Sequence, residues 1–460
     1  MDRIKTLLKR LLLTIAALLA IVVLLGVLSR LTTPTAAQRE TVALMERDEL
    51  PEGPDAFGLL YTLGHDVPFD EIDTVVAADA ATVAAWPETW PESWDTDKWL
   101  TEHFEWRRDD YPSLFPSEAD RALFCRLREE NGCLARVRAA PEATAEALAR
   151  NERLVARAER VRGFDVVRNA MSHLYAPMPD TYGATLPMTA HALAFARGEE
   201  AFAVRETCRD LAAWRRLAMG TDSLIVSMSG AELAGEGYAG LLADMLSEWP
   251  VDRPLPDDCT TALAPPTDEE LLFCNALRGE FRTNRRWLAD NSVHLRRHGD
   301  WGDRLEWSLF FNVPATAAGI AEAWAPYCRA DQPGRQELER PDSSWIALLR
   351  WPCLGNLGGC VSIALSTLNG WGDYADRLRD FGARLRLLGA LAWIREQAAD
   401  TGATADELVD RLPPELADPA QPVTVAPDGR SLRVALTWDR RGEWAAFSLP
   451  PALWRASPND

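Results

Sequence analysis

The stretch LLLTIAALLAIVVLLGVLS, residues 11–29, carries no charge and is bounded by Arg10 and Arg30. At about 1.5 Å of rise per helical residue it reaches roughly 28 Å, close to the ~30 Å hydrocarbon core of a bilayer. Arg3, Lys5, Lys9 and Arg10 precede it, and the positive-inside rule then keeps the N-terminus in the cytoplasm. The expectation is a single-pass inner-membrane protein of a Gram-negative cell. Residues 1–30 would be a cytoplasmic tip and transmembrane anchor, with 11–29 in the inner membrane and the bulk periplasmic. A cleaved signal peptide is the alternative, since Thr35-Ala36-Ala37 offers small residues before Gln38. Two features count against it: the run exceeds the usual ~7–15-residue signal core, and Arg30 separates it from that site.

Working outward, the remainder has the composition of a folded protein, with 47% hydrophobic and 26% charged residues overall. The formal charge is −20, but residues 1–30 hold five basic groups and one acidic, so residues 31–460 carry −24. Such a surface repels phosphate backbones, which argues against nucleic acid and anionic lipid headgroups as partners. All eight cysteines lie beyond the apolar run, an even count that favours disulfides in an oxidising compartment. Eight cysteines allow on the order of a hundred connectivities. Two pairs are near enough for local bridges, Cys125 with Cys133 and Cys353 with Cys360, the second closing CLGNLGGC. No C-x-x-C occurs, so redox and zinc-ribbon readings have no footing.

Residues 31–400 read as a helical periplasmic domain of antiparallel helices. Ser117 and Asp120 form a capping signal for EADRALFCRLREEN, and residues 141–160 read as one helix opened by Pro141. Ala201, Val204, Cys208, Leu211 and Ala218 share a face up to Gly220, with Asp222 placed to cap the next helix. In that next helix Gly230, Gly235, Gly237 and Gly240 cost helix propensity, which close approach of a neighbouring backbone would compensate. Thr267 and Glu270 cap PTDEELLFCNALRGEF, and residues 374–396 carry apolar positions on most sides. Two Trp-Gly-Asp triplets, at 301–303 and 371–373, read as helix starts with an Asp cap. Residues 86–116 are rich in aromatics and proline, an interaction patch or core folded back on the helices. Residues 401–460 change character: a short helix capped by Thr404 and Glu407, then a small antiparallel meander of strands at 423–426, 432–438 and 444–449 around the PDGR turn.

Chemistry-bearing motifs are sparse. His294 and His298 share a helix face, but HLRRH lacks the Glu of H-E-x-x-H and points to no third ligand. The G-x-G-x-x-G of GEGYAG lies inside a helical pattern with no strand before it, so helix packing explains it better than dinucleotide binding. Glu280 and Asp303 are the least arbitrary acid/base candidates among 69 carboxylates, against the simpler reading of capping groups. The residues therefore designate no catalytic, cofactor-binding or metal site.

AFGLLYTLGHDVPFDEID (56–73), LPDDC (255–259) and LPPELADPAQPVTVAPDGRSLRV (412–434) resemble single-anchor inner-membrane and periplasmic proteins of Gram-negative bacteria, a group that brings no activity with it. The last segment is also similar to the end of type II secretion pseudopilins, but residues 5–15 lack the Gly-Phe processing site and the following Glu of that family. Two function classes remain. One is an envelope scaffold or inhibitor acting on other envelope proteins; the other is a carboxylate-dependent envelope hydrolase, which requires a deep cleft with a convergent acid pair.

Overall fold

A computed structural model describes residues 2–85, 110–127, 132–171, 176–179, 181–328, 350–367, 371–438 and 444–454. The fold is mainly helical, with an N-terminal apolar helix and a small C-terminal antiparallel sheet. The first helix, Asp2–Thr32, includes a stretch from Lys9 to Thr32 long and apolar enough to cross a membrane, its apolar residues largely exposed and Ser29 in its last turn buried. Its last turn is seated on the body. Ser29 Oγ donates to the Trp351 carbonyl at 2.6 Å and accepts the Gly355 N–H at 3.2 Å. The Arg30 guanidinium holds the carbonyls of Ser308, Leu309 and Phe311.

The body is built around Glu200–Met219, a helix with twelve buried residues, among them Val204, Leu211, Trp214 and Leu217. Gly220 ends it, and the chain reverses into Leu224–Glu232, which continues through a π-helical segment, Leu233–Tyr238, into Ala239–Glu248. The long helix Trp371–Thr401 packs alongside, burying Leu378, Phe381, Leu385, Leu388, Leu391 and Ile394. Its apolar residues do surround it on most sides, which excludes a purely solvent-facing role. Ala36–Met45 packs against Val313–Trp324, with Gln38 Nε2 donating to Glu322 at 3.1 Å.

Three of the four helix glycines meet a neighbour that leaves little room for a side chain. A Cβ at Gly230 would lie 3.0 Å from Ala218, at Gly235 2.9 Å from Phe381, and at Gly237 2.9 Å from Leu127; Gly240 faces open space. For Gly230 the neighbour includes backbone, but for Gly235 and Gly237 it is mainly side chain.

Several boundaries differ from the expected ones for local reasons. The helix after Ser117 runs only from Glu118 to Arg121, because the Cys125 N–H bonds Thr189 Oγ1 and Arg136 takes the Ala122 carbonyl. The 141–160 helix is two, Pro141–Arg150 and Glu152–Glu159, broken where Asn151 turns its amide to Asp120 and the Ala147 carbonyl. Ser223, not Asp222, caps the helix after Gly220, since Asp222 is engaged by the Asn169 N–H and by Arg282. The Thr267–Glu270 box is present, yet it leads only into a 3₁₀ turn, Glu269–Leu271. Glu270 is drawn to Arg215, and the long helix starts at Cys274. The cap of Trp301–Phe310 is Asp300, with Asp303 completing the box.

The sheet has order β1 (Thr424–Val425), β2 (Ser431–Ala435), β3 (Trp444–Ser448), both pairings antiparallel. Leu432 and Val434 on β2 face inward opposite Phe447 and Ala445 on β3, the period-two pattern of a half-buried sheet. Gly429 takes φ +68° in the turn, where the Asp428 carboxylate accepts the Arg430 N–H. Among the described residues elsewhere, only isolated bridges occur, at Asp55–Val166, His65–Ser113 and Val167–Thr221.

All eight cysteines are at bonding distance in four pairs. Cys125–Cys133 and Cys353–Cys360 are the two local bridges. Cys208–Cys259 and Cys274–Cys328, 51 and 54 residues apart, join helices distant in sequence.

Candidate functional site

A cleft opens between the π-helical segment Leu233–Tyr238 with the turn before it, the helix Trp371–Thr401 and Trp438, just beyond the second strand of the meander. π-Helical turns recur at functional sites because the inserted residue redirects neighbouring side chains. Here Glu232 and Glu236, four apart, share the cleft with Asp380, Arg377, Arg384, Phe381 and Trp438. Arg384 pairs with Glu236 at 3.0 Å, and the Arg377 guanidinium lies 4.1 Å above the Trp438 ring. Burial pushes the Asp380 carboxyl up, against the backbone N–H groups of Thr437 and Trp438 that donate to its two oxygens at 2.6 and 3.0 Å. The cleft holds about 40 Å³, room for roughly three waters. Sites for small-molecule ligands commonly measure roughly 300–1,000 Å³.

The two carboxylates singled out in the sequence lie elsewhere. Glu280 is half-buried and accepts the Leu224 N–H at 3.2 Å, helping to cap that helix; desolvation raises its carboxyl above its ordinary value. Asp303 accepts the Asp300 N–H at 3.2 Å as half of a capping box. His294 and His298 do share a helix face, with ring centroids 5.0 Å apart. Among the described residues no group of three or more His, Cys, Asp or Glu is placed to hold a metal ion. Of the aromatic stretch 86–116, residues 86–109 lie outside the described residues. Tyr111 donates to Glu71 at 2.7 Å and Phe115 meets His65 edge-on.

Sequence reasoning missed a buried polar cluster. Arg162, in a 3₁₀ turn, bonds both Asp210 and Glu206 from helix Glu200–Met219, and His191 Nε2 lies 2.7 Å from Asp210 Oδ2. His191, Glu206 and Asp210 are all buried. Burial alone would push Asp210 upward, but the bonds from Arg162 and His191 outweigh it and hold the carboxyl below its ordinary value. The available signal was the pair Glu206 and Asp210, one turn apart and close to the apolar positions Ala203, Val204 and Leu211 of that helix. Glu206 links the cluster outward to Arg205 and Arg209 at the surface.

Comparisons of the chain with protein-family models, with curated proteins and with solved structures found no match.

Proposed function

We propose that the protein is a membrane-anchored periplasmic protein that works through protein–protein contact, as a scaffold or inhibitor within the envelope. The observation that carries this reading is a membrane-length apolar helix fastened to a helical body whose conspicuous carboxylates serve its own architecture. Glu280 and Asp303 cap helices, Asp210 neutralises Arg162, and Asp380 pins the meander. Four cysteine pairs favour an oxidising compartment, and the basic residues before Leu11 favour a cytoplasmic N-terminus. A charge of −24 on residues 31–460 disfavours nucleic acid and leaves other envelope proteins as partners.

Retention of the apolar helix also has support in its contacts. Thr35 and Gln38 form the capping box of Ala36–Met45, and Ser29 and Arg30 bond the body. Cleavage after Ala37 would discard all of these bonds. The described cleft around Asp380 offers little to a hydrolase. Both oxygens of that carboxylate already accept backbone N–H groups, and the cleft is far below substrate size.

The test is photo-crosslinking in intact envelopes from exposed positions such as Arg377 and Glu146, followed by capture of the full-length chain. A small, position-dependent set of envelope proteins is expected. Capture of abundant membrane proteins in proportion to their abundance, the same from every position, overturns the reading.

A further inference from the structure

None of the ten residues of helix Trp301–Phe310 is buried. Trp301, Leu305 and Leu309 stand at i, i+4 and i+8 on one face, and are 79%, 41% and 55% exposed. Asp303 lies on the opposite side of that helix and Glu306 on its flank, outside the stripe. An apolar stripe of this kind on a soluble surface calls for a covering partner.

The stripe's position identifies that partner. Helix C-termini leave carbonyls without intrahelical donors, and here those carbonyls are taken by Arg30, the residue that ends the apolar run. A second apolar segment meets the same end of the N-terminal helix. The short helix Trp351–Leu354 packs so closely that a Cβ at Gly26 would lie 3.2 Å from the Leu354 carbonyl. Trp351 Nε1 donates to Thr32 Oγ1 at 3.0 Å, and Trp351, Leu354 and Leu357 are exposed. Gly26 lies about 6 Å below Arg30 along the helix axis, so this segment stands at the depth of the last apolar turn. Two segments some forty residues apart in sequence thus bring exposed Trp and Leu to the point where the helix would leave the bilayer.

We propose that Trp301–Phe310 and the 351–357 segment form a collar lying in the headgroup–acyl boundary on the outer face of the membrane that the N-terminal helix crosses. The proposal rests on the anchor reading above. Tryptophan concentrates at that boundary, and amphipathic helices lie in it with their charged face toward water. The attraction is apolar, so it needs no anionic lipid and is compatible with the acidic body. Its consequence is orientation: the body is held against the membrane at a set angle instead of swinging on a tether.

The test uses the full-length chain in phosphatidylcholine nanodiscs. Because all eight native cysteines are paired, one introduced cysteine carries a nitroxide label alone. Labels at L305C, L309C and L354C should collide with oxygen several-fold more readily than with a water-soluble nickel chelate. A label at E306C should show the reverse, and one at L19C should favour oxygen. If 305, 309 and 354 behave as 306 while 19 favours oxygen, the collar is wrong and the anchor stands. If 19 favours nickel, both fall. Exclusion of both probes at 305 and 309 means a second copy covers the stripe, which also overturns the proposal. In the unlabelled chain, brominated lipid should quench a share of tryptophan fluorescence that disappears in the W301F/W351F double variant; an unchanged share contradicts the collar.

Discussion

Asp380→Ala is the sharpest perturbation of the way the meander is held. Asp380 sits on helix Trp371–Thr401, is buried, and accepts the N–H groups of Thr437 and Trp438 just beyond β2. Alanine strands both donors, at about 1–3 kcal/mol each when they stay dry. Two effects return part of that. Thr437 is near the surface, and the lost carboxyl was one that burial disfavours in its charged form. The net loss should be about 2–4 kcal/mol, confined to the docking of the meander. Every 1.4 kcal/mol is tenfold, so amide exchange across β2 and β3 should quicken roughly 30- to 1,000-fold. Amides of Glu200–Met219 should keep their protection. Asp380→Asn, which retains one acceptor oxygen, should fall between. Hydrogen exchange read by mass spectrometry decides it: an unchanged rate at β2 and β3, or an equal acceleration in Glu200–Met219, refutes the reasoning. Deletion of residues 420–460 is the limiting case and should bare the apolar face of Trp371–Thr401, producing aggregation.

Three further outcomes follow from particular contacts. Thiol counting under denaturing, non-reducing conditions should find no free cysteine; by loop entropy, replacing Cys208–Cys259 should cost about 4 kcal/mol against about 2–2.5 for Cys353–Cys360, and the reverse order in denaturant melts would contradict the pairing. Asp244 is pushed up to about 6, by burial first and then by Glu248, against Arg138. The folded state therefore keeps a proton that the unfolded chain loses near pH 4, and stability from this group falls as pH rises from about 4 to 6. Asp244→Asn should gain roughly 2–3 kcal/mol at pH 7.5 and nothing near pH 4, and a pH-independent effect contradicts the assignment. Gly279→Ala would set a Cβ 1.7 Å from the Asp222 carbonyl, backbone that cannot rotate away, while Gly240→Ala meets open space. The first should lose more than about 2 kcal/mol and the second gain about 0.5–1; losses of similar size at both would refute the packing.

The elements legible in the sequence were those specified by local pattern. The charge-free run, the stripe along residues 374–396, the Thr404–Glu407 box and the alternation around the PDGR turn each need only a few neighbouring residues. The local bridges at 125–133 and 353–360 were legible for the same reason. What stayed hidden depends on distant partners. Cys208 finds Cys259, and Cys274 finds Cys328, only once the helices have packed. The breaks at Ala122 and Asn151 are imposed by Thr189, Arg136 and Asp120. The candidate cleft was illegible because Asp380, Glu236 and Trp438 come from three segments and meet through a π-helical turn that no simple periodicity announces. Glu280 and Asp303 stood out in the sequence, and both are spent on helix caps, since a carboxylate beside a helix start is held there by unpaired N–H groups.

The central claim is a single anchor with the body outside the cytoplasm, and thiol accessibility tests it most directly. The Glu146 side chain is 76% exposed on the body, and with every native cysteine paired a Glu146→Cys chain carries one free thiol. In cells whose outer membrane is permeabilised and whose inner membrane is intact, a membrane-impermeant maleimide should label this variant fully and the parent chain not at all. Labelling that appears only after the inner membrane is lysed would place the body in the cytoplasm and contradict the account.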